Sequence, residues 1–521
     1  MARACHGRWQ ERSDVVRRRK YPGRVSRVLQ DKRLALAASA RRPVAIDLFA
    51  GAGGLSLGLE QAGFDVVAAV EYDPVHAAVH RFNFPQTTVL CADVSSLEPK
   101  TLRAAATEGM EAHGWDLDEW DGEVDVVAGG PPCQGFSLIG KRLVDDTRNR
   151  LVFHFLRLVA ATRPRYFVME NVPGMISGGH ASILGELIAE FEEAGYRFPS
   201  QEKYRVLNAA DFGVPQERHR LFLIGTREDC PVVVQAPGPN VRPVRKRPAL
   251  GGTDSQSQGS QTKLPAGPTV WEAVGDLPNV NDFPTLSRSD ETRLSSGRLA
   301  VMERIASSYA RRLRGAETDA MDLSYPRVWD PALLTASMRT EHTDESVRRF
   351  KKTVCGQTEP VSRFYKLHPD GLCNTLRAGS GSERGAFTSP RPLHPRYPRV
   401  LSNREAARLH SFPDWFRVHA TKWHGFRQIG NSVAPLLGRA VGAQIVEALG
   451  FSAERPNEPF ELGGLELLSL TMSQAVDLFG ADKSSIPAQR LRAATSKSVG
   501  RSTESDRHDE ETRPERALAV A

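Results

Sequence analysis

The sequence predicts an α/β fold in which helices cover a parallel sheet. From residue 44 onward, short apolar runs alternate with segments of helical period, which is typical of βαβ units. Each of these runs leads into a glycine-rich, acidic or cysteine-containing segment. Because the carboxyl ends of parallel strands share one edge of a sheet, where ligands bind, these segments are expected to form a single site.

Five strands are predicted, over residues 44–49, 64–70, 87–92, 124–128 and 166–169. The first strand continues into a glycine-rich turn and a helix over residues 55–62. The second, third and fifth strands end at Glu71, Asp93 and Glu170, and the fourth leads to Cys133. Polar side chains therefore follow the strands at the edge where a ligand is expected.

Changes in composition predict six parts of the chain. They are a flexible basic arm (1–42), a first domain (43–226), a linker or insertion (227–268), a variable region (269–399), C-terminal motifs that complete the first domain (400–450), and a polar, partly disordered tail (451–521).

Composition narrows the class of protein. The net charge of +7 and the pI near 9.1 favour a polyanionic partner. The six cysteines form no C-x-x-C pair, which argues against a disulfide framework or a metal site and favours a reducing cytoplasm. No apolar run approaches the roughly 20 residues that span a bilayer, so no membrane association is expected.

Residues 129–137 read Gly-Gly-Pro-Pro-Cys-Gln-Gly-Phe-Ser. Pro131 and Pro132 fix the backbone, so that a stiff turn presents Cys133. A thiol held in this way can attack an electrophilic carbon. The motif alone would equally suit a buried, inert cysteine beside a proline turn.

This segment resembles the catalytic motif of the DNA (cytosine-5) methyltransferases, and the resemblance continues in order along residues 44–226 and about 395–445. It implies a Rossmann-like, S-adenosylmethionine-dependent methyltransferase sheet with a second, smaller target-recognition domain at residues 269–399. It also implies methyl transfer to C5 of cytosine in duplex DNA, through a covalent bond between Cys133 and C6 of a base rotated out of the stack.

The acidic residues Asp47, Glu71 and Asp93 suit a ligand that carries an amino group, ribose hydroxyls and an adenine amine, as S-adenosylmethionine does. No G-K-[ST] follows the glycine-rich turn, which argues against a nucleotide-phosphate loop. By resemblance, Glu71 would bind the ribose, Asp93 the adenine amine, and two aromatic residues would pack on the adenine. The predicted cofactor-binding residues are Asp47, Phe49, Gly51, Gly53, Gly54, Glu71, Tyr72, Asp93, Pro132, Asn431 and Ser432.

Four residues are predicted to act on the base. Cys133 would be the nucleophile, and by resemblance Glu170 would hydrogen-bond N3 and the exocyclic amine of cytosine. Arg218 and Arg220 belong to a Gln-x-Arg-x-Arg motif. Arg220 would contact the cytosine O2, and Arg218 would help to hold Glu170 or a phosphate.

The resemblance implies double-stranded DNA as partner and a bacterial modification enzyme, with a cognate restriction endonuclease acting separately. Two alternatives remain open. One is a tRNA cytosine-5 methyltransferase, although the Cys-Phe-Thr motif of that branch is absent. The other is a catalytically silent DNA-binding relative, against which the presence of Cys133, Glu170 and Arg220 argues.

Overall fold

The computed structural model describes residues 42–118, 120–132, 150–178, 180–244, 264–379 and 391–481. The described strands are β1 Val44–Leu48, β2 Asp65–Glu71, β3 Thr88–Cys91, β4 Val126–Gly129, β5 Tyr166–Asn171, β6 Tyr196–Arg197, β7 Tyr204–Asn208, β8 Gln216–Glu217, β9 His219–Arg227, β10 Thr292–Arg293, β11 Leu333–Leu334 and β12 Cys373–Asn374. The five strands predicted from the sequence are confirmed as β1 to β5, with shifts of one or two residues at their ends.

The described helices are α1 Gly54–Ala62, α2 Pro74–Asn83, α3 Pro99–Ala112, α4 Arg150–Thr162, α5 His180–Glu193, α6 Val270–Val274, α7 Ser296–Ile305, α8 Ser308–Leu313, α9 Asp344–Lys352, α10 Asn403–Leu409, α11 Lys422–Asn431, α12 Pro435–Leu449 and α13 Met472–Phe479. Among these residues, no helix is both long and apolar enough to cross a bilayer.

The central sheet has eight strands in the order β3-β2-β1-β4-β5-β9-β6, and β7 also pairs with β9. Strands β1 to β5 are parallel, whereas β9 runs antiparallel to β5, β6 and β7. The α/β fold with a largely parallel sheet is thus confirmed. The chain order reverses between β1 and β4, and in open α/β sheets the crevice at such a reversal is where ligands bind.

Helices cover both faces of this sheet, which explains why its strands are apolar along their whole length. On β1, Ile46 packs into a core shared with α3, α4 and α5. Its neighbour Ala45 packs on the opposite face, into a core shared with α1 and α12. Helix α12, from the C-terminal part of the chain, therefore contributes to the core on this face of the sheet.

A second hydrophobic core is formed mainly by residues 270–429, and it also contains Leu57 and Phe84 from the sheet portion of the chain. Buried ion pairs accompany this core. Arg399 Nη2 lies 2.7 Å from Glu405 Oε1. Both side chains are only 2% exposed, so the two charges depend on each other for compensation.

The described part of the C-terminal region is more structured than the predicted polar tail. Residues Leu465–Leu468 form a 3-10 helix, and α13 follows it. Residues 482–521 lie outside the described residues, as do residues 1–41 of the basic arm and 245–263 of the linker. Arg42, placed in the arm by the sequence, is buried and donates to Asp65 at 2.8 Å.

Candidate active site

The segments after β1 and β4 meet at the reversal of strand order. Strand β1 leads into the glycine-rich turn at residues 49–53, and β4 leads into Gly130, Pro131 and Pro132. Cys133, the predicted nucleophile, lies outside the described residues. Because Pro132 directly precedes it, the described part of the chain leads towards Cys133 from this edge of the sheet.

The glycine-rich turn packs too closely against its neighbours to admit larger residues. Gly53 has a φ of 102°, and a Cβ there would lie 2.3 Å from the ring of Phe84. A Cβ on Gly54 would lie 2.5 Å from the carbonyl oxygen of Val433. Phe49 also has a positive φ, of 59°, which is uncommon for a residue with a side chain. The turn is therefore held in one shape by the packing around it.

Asp47 lies at the base of this turn and is fully buried. Its Oδ2 accepts a hydrogen bond from Ser56 Oγ at 2.6 Å, but its Oδ1 has no hydrogen-bond partner among the described residues. Burial raises the pKa of Asp47 to about 7. An unpaired buried carboxylate oxygen of this kind is suited to receiving a donor group of a ligand.

Glu71 is the last residue of β2, and its carboxylate binds the backbone of two separate segments. Its carboxylate accepts hydrogen bonds from the backbone N–H of Gly51 and of Asp73, each at 2.8 Å. Burial raises its pKa above the ordinary value. Asp73 in turn caps α2 by accepting from the backbone of Val75 and His76. Glu71 thereby fixes the glycine-rich turn relative to the start of α2.

Two other predicted cofactor residues lie at the mouth of this region. Tyr72 is 52% exposed, and Asp93 is exposed with its Oδ1 accepting from the backbone N–H of Ser95 at 2.8 Å. Both follow strand ends next to Glu71, since β2 and β3 are neighbours in the sheet. Their exposure leaves them accessible to a ligand.

Glu170 lies next to the chain that enters Cys133. A Cβ built on Gly130 would be 3.0 Å from Glu170 Oε2, so a larger residue there would require this carboxylate to shift by a few tenths of an ångström. Arg220 Nε contacts Glu170 Oε1 at 2.7 Å, and both side chains are 13% exposed. The structure thus brings Glu170, Arg220 and the segment before Cys133 together.

Arg218 differs from its predicted placement. Its side chain is fully buried, and its guanidinium donates to the backbone carbonyls of Leu376, Gly430 and Ser432 at 3.1, 3.0 and 2.7 Å. Burial, together with the nearby charge of Arg220, lowers its pKa well below the ordinary value. The ion pair with Glu170 is made by Arg220, and Arg218 instead joins β9 to the C-terminal motif.

That motif approaches the glycine-rich turn. Ser432 Oγ donates to the carbonyl of Gln428 at 2.6 Å, and Ser432 Cβ lies 2.7 Å from the position that a Cβ on Gly54 would take. Asn431 is exposed at the end of α11. Ser432 therefore lies against Gly54, at the end of the turn where α1 begins, whereas Glu71 binds the turn at Gly51.

Three polar residues outside the predicted set stabilise this arrangement. Asn171, next to Glu170, donates to the carbonyl of Pro131 at 3.1 Å. Gln216 donates to the carbonyl of Leu409, and its Nε2 lies 2.9 Å from Nδ1 of His410. Asn171 follows Glu170 directly and Gln216 begins the Gln-x-Arg-x-Arg motif, so both adjoin assigned residues, whereas nothing local marks His410.

Comparisons with known proteins agree with this geometry. The family profile described as C-5 cytosine-specific DNA methylase matches residues 44–447. The chain is 49% identical over 451 residues to the type II methyltransferase M.XorII of Xanthomonas oryzae, covering 87% of this chain and 95% of that protein. It is 30% identical to the type II methyltransferase M.AgeI of Thalassovita gelatinovora, covering 78% and 99%.

A solved structure is also similar. It is that of a candidate DNA modification methyltransferase encoded within an Escherichia coli prophage, with a TM-score of 0.59 and 31% sequence identity. The match covers 78% of this chain and 99% of that one.

Proposed function

Because this chain belongs to the C-5 cytosine-specific DNA methylases, we propose that it methylates cytosine in duplex DNA through a covalent bond from Cys133 to C6. The observation that carries this mechanism is the position of the Glu170–Arg220 pair. Glu170 lies against Gly130, three residues before Cys133, and Arg220 holds the carboxylate at 2.7 Å. A group that can donate a proton to a base ring therefore lies beside the chain that leads towards the proposed nucleophile.

The residues at the glycine-rich turn fit S-adenosylmethionine, which supplies a methyl group bound to a sulfonium. The free Oδ1 of Asp47 is available to the ligand's amino group. Glu71 suits the ribose hydroxyls and Asp93 the adenine amine. Phe49 and Tyr72 would pack on the adenine. Gly51, Gly53 and Gly54 bring backbone close to the ligand, and Pro132, Asn431 and Ser432 would complete the pocket.

Addition to C6 makes the chemistry possible because C5 of cytosine is a weak nucleophile. The Cys133 thiolate forms a bond to C6, the ring electrons move towards N3, and a proton shared with Glu170 neutralises the charge there. C5 would then take the methyl group as the bond from that group to the sulfonium sulfur breaks, which leaves a neutral thioether. Loss of the C5 proton and expulsion of the thiolate restore the aromatic ring, so no oxidant or reductant is needed.

Arg220 would both orient Glu170 and contact the cytosine O2. Because C6 is stacked inside duplex DNA, the base must rotate out before Cys133 can reach it. Residues 269–399 would supply the contacts that choose the target site. For Arg218, we propose a positioning role, since its guanidinium is occupied by backbone carbonyls.

The relatives are named type II methyltransferases, which favours a restriction-modification role for this chain as well. A separate restriction endonuclease with the same target would then be its cellular counterpart. Because the DNA of a bacterial cell lies in the cytoplasm, a DNA methyltransferase of such a cell would act there.

The test is transfer of labelled methyl from S-adenosylmethionine to unmethylated duplex DNA, with tRNA in parallel. We expect 5-methylcytosine in DNA, no product with Cys133→Ser, and normal product with the matched control Cys355→Ser. Duplexes containing 5-fluorocytosine should trap the wild-type protein covalently, since fluorine at C5 cannot leave as a proton. Label on tRNA alone would support the RNA-acting alternative, and no label on either would support a silent DNA-binding relative.

A further inference from the structure

Residues 462–479, which we call the C-terminal clasp, follow the part of the chain matched by the family profile. They comprise the 3-10 helix Leu465–Leu468 and helix α13. The clasp returns to the cofactor side of the sheet. Leu467 and Leu468 are buried there, in one hydrophobic cluster with Ala52 of the glycine-rich turn and with Val79 and Phe82 of α2.

On one side, the clasp is bonded to α2, the helix that begins next to Glu71. The backbone N–H of Gly463 donates to the carbonyl of Phe82 at 2.9 Å. The approach is so close that a Cβ on Gly463 would lie 2.9 Å from Phe82 Cα. The N-cap of α2 is Asp73, whose backbone N–H donates to Glu71. Both ends of α2 are thus held, the N-terminal end by Glu71 and the C-terminal end by the clasp.

On its other side, the clasp is bonded to the segment that begins α11. The backbone N–H of Ala420 donates to the carbonyl of Leu468 at 2.8 Å, and Nε2 of His419 lies 3.1 Å from the carbonyl oxygen of Leu470. Helix α11 starts at Lys422 and ends at Asn431, directly before Ser432. The clasp therefore joins the element that begins beside Glu71 to the element that ends beside Ser432, and these two elements would carry two walls of the proposed pocket.

We propose that the C-terminal clasp holds these two walls together and thereby sets the affinity for S-adenosylmethionine, an inference that rests on the function proposed above. The clasp residues are positioning residues, acting through α2 and α11. If the clasp loosens, only a fraction of the molecules has both walls in place, and the apparent dissociation constant rises by the inverse of that fraction.

The test uses full-length protein with Leu467 and Leu468 both changed to Ala. The controls are Leu465→Ala, in the same 3-10 helix, and Leu478→Ala, in α13. Their side chains are 63% and 45% exposed. Binding of S-adenosylmethionine is measured by calorimetry, and methyl transfer is measured at varied cofactor and varied DNA. We expect the buried pair to raise both Kd and KM for the cofactor at least tenfold. The kcat and the KM for DNA should change less than twofold, and the controls should match wild type.

A lowered melting temperature with unchanged cofactor Kd and KM would overturn the proposal, because the clasp would then only stabilise the fold. If the double variant does not fold, Leu468→Val replaces it, and a cofactor Kd within 1.5-fold of wild type would again overturn it. Failure of the wild-type protein itself to bind S-adenosylmethionine would refute the proposed function instead. The two failures are thus distinguishable.

Discussion

Arg218 and Arg220 lie two residues apart on or beside β9, yet the structure predicts opposite consequences when each is changed to Met. Arg218 is fully buried and donates three hydrogen bonds to backbone carbonyls. Hydrogen bonds from a charged donor contribute about 1.5–3 kcal/mol each, and the cost of burying a cation offsets several kcal/mol of their sum. We therefore expect Arg218→Met to lower the free energy of unfolding by about 3–5 kcal/mol.

Arg220 has one carboxylate partner and is partly exposed. Both side chains are largely buried, so loss of the pair leaves the Glu170 carboxylate without its partner, and Arg220→Met should cost about 1–3 kcal/mol of stability, less than Arg218→Met. It should nevertheless reduce methyl transfer far more than Arg218→Met does per folded molecule, because it frees Glu170 and removes the proposed contact with the base. Loss of an oriented charge at a reacting group typically costs about 100-fold or more in rate.

The measurement is urea unfolding of both variants, with methyl transfer assayed where each is fully folded. The Cys355→Ser protein serves as a control for handling. If Arg218→Met kept wild-type stability while losing activity, the inferred structural role would be wrong, and Arg218 would have to contact substrate. Equal destabilisation by both substitutions would equally contradict the assignment of Arg220 to the exposed, catalytic side.

Three other substitutions should alter stability or cofactor binding, each through the contacts of a single residue. Burial raises the pKa of Asp47 from 3.8 to about 7, so its protonated form favours the fold and that contribution is lost as pH rises from 4 through 7. Asp47→Asn should therefore gain stability relative to wild type over this window, by about 4 kcal/mol at most, in urea unfolding at a series of pH values. A constant difference would contradict the raised pKa. Burial alone would raise the pKa of Glu405, but the charge and hydrogen bonds of Arg399 hold that pKa at about 2, so the pair's contribution is present above pH 4.5 and is lost as pH falls towards 2. Glu405→Gln should cost about 3–5 kcal/mol at pH 7 and progressively less in acid, and a pH-independent cost would argue against the ion pair. Gly54→Ala places a methyl group 2.5 Å from the Val433 carbonyl and should weaken cofactor binding at least tenfold by calorimetry, whereas Gly185→Ala, with nothing within 4 Å, should bind normally.

The sequence predicted the first five strands because most of them are buried on both faces and so form apolar runs bounded by turn residues. It also located Glu71 and Glu170, since each is the polar residue that ends such a run. Arg42 and the C-terminal clasp were not recognised as folded. Arg42 is buried because it pairs with Asp65, and Leu468 is buried because it packs on α2. A local sequence pattern cannot reveal partners that are distant along the chain.

By itself, the sequence determined the fold class, the order of the motifs and the residue types available for chemistry, because periodicity and turn residues are local properties. Only the tertiary structure decided which of those residues stabilise the fold and which face the site. Arg218 and Arg220 are indistinguishable by type and spacing, and they differ because one side chain faces Leu376, Gly430 and Ser432 while the other faces Glu170. Burial and hydrogen-bond partners arise from packing between distant segments, so the distinction between a structural and a catalytic arginine exists only in the folded chain.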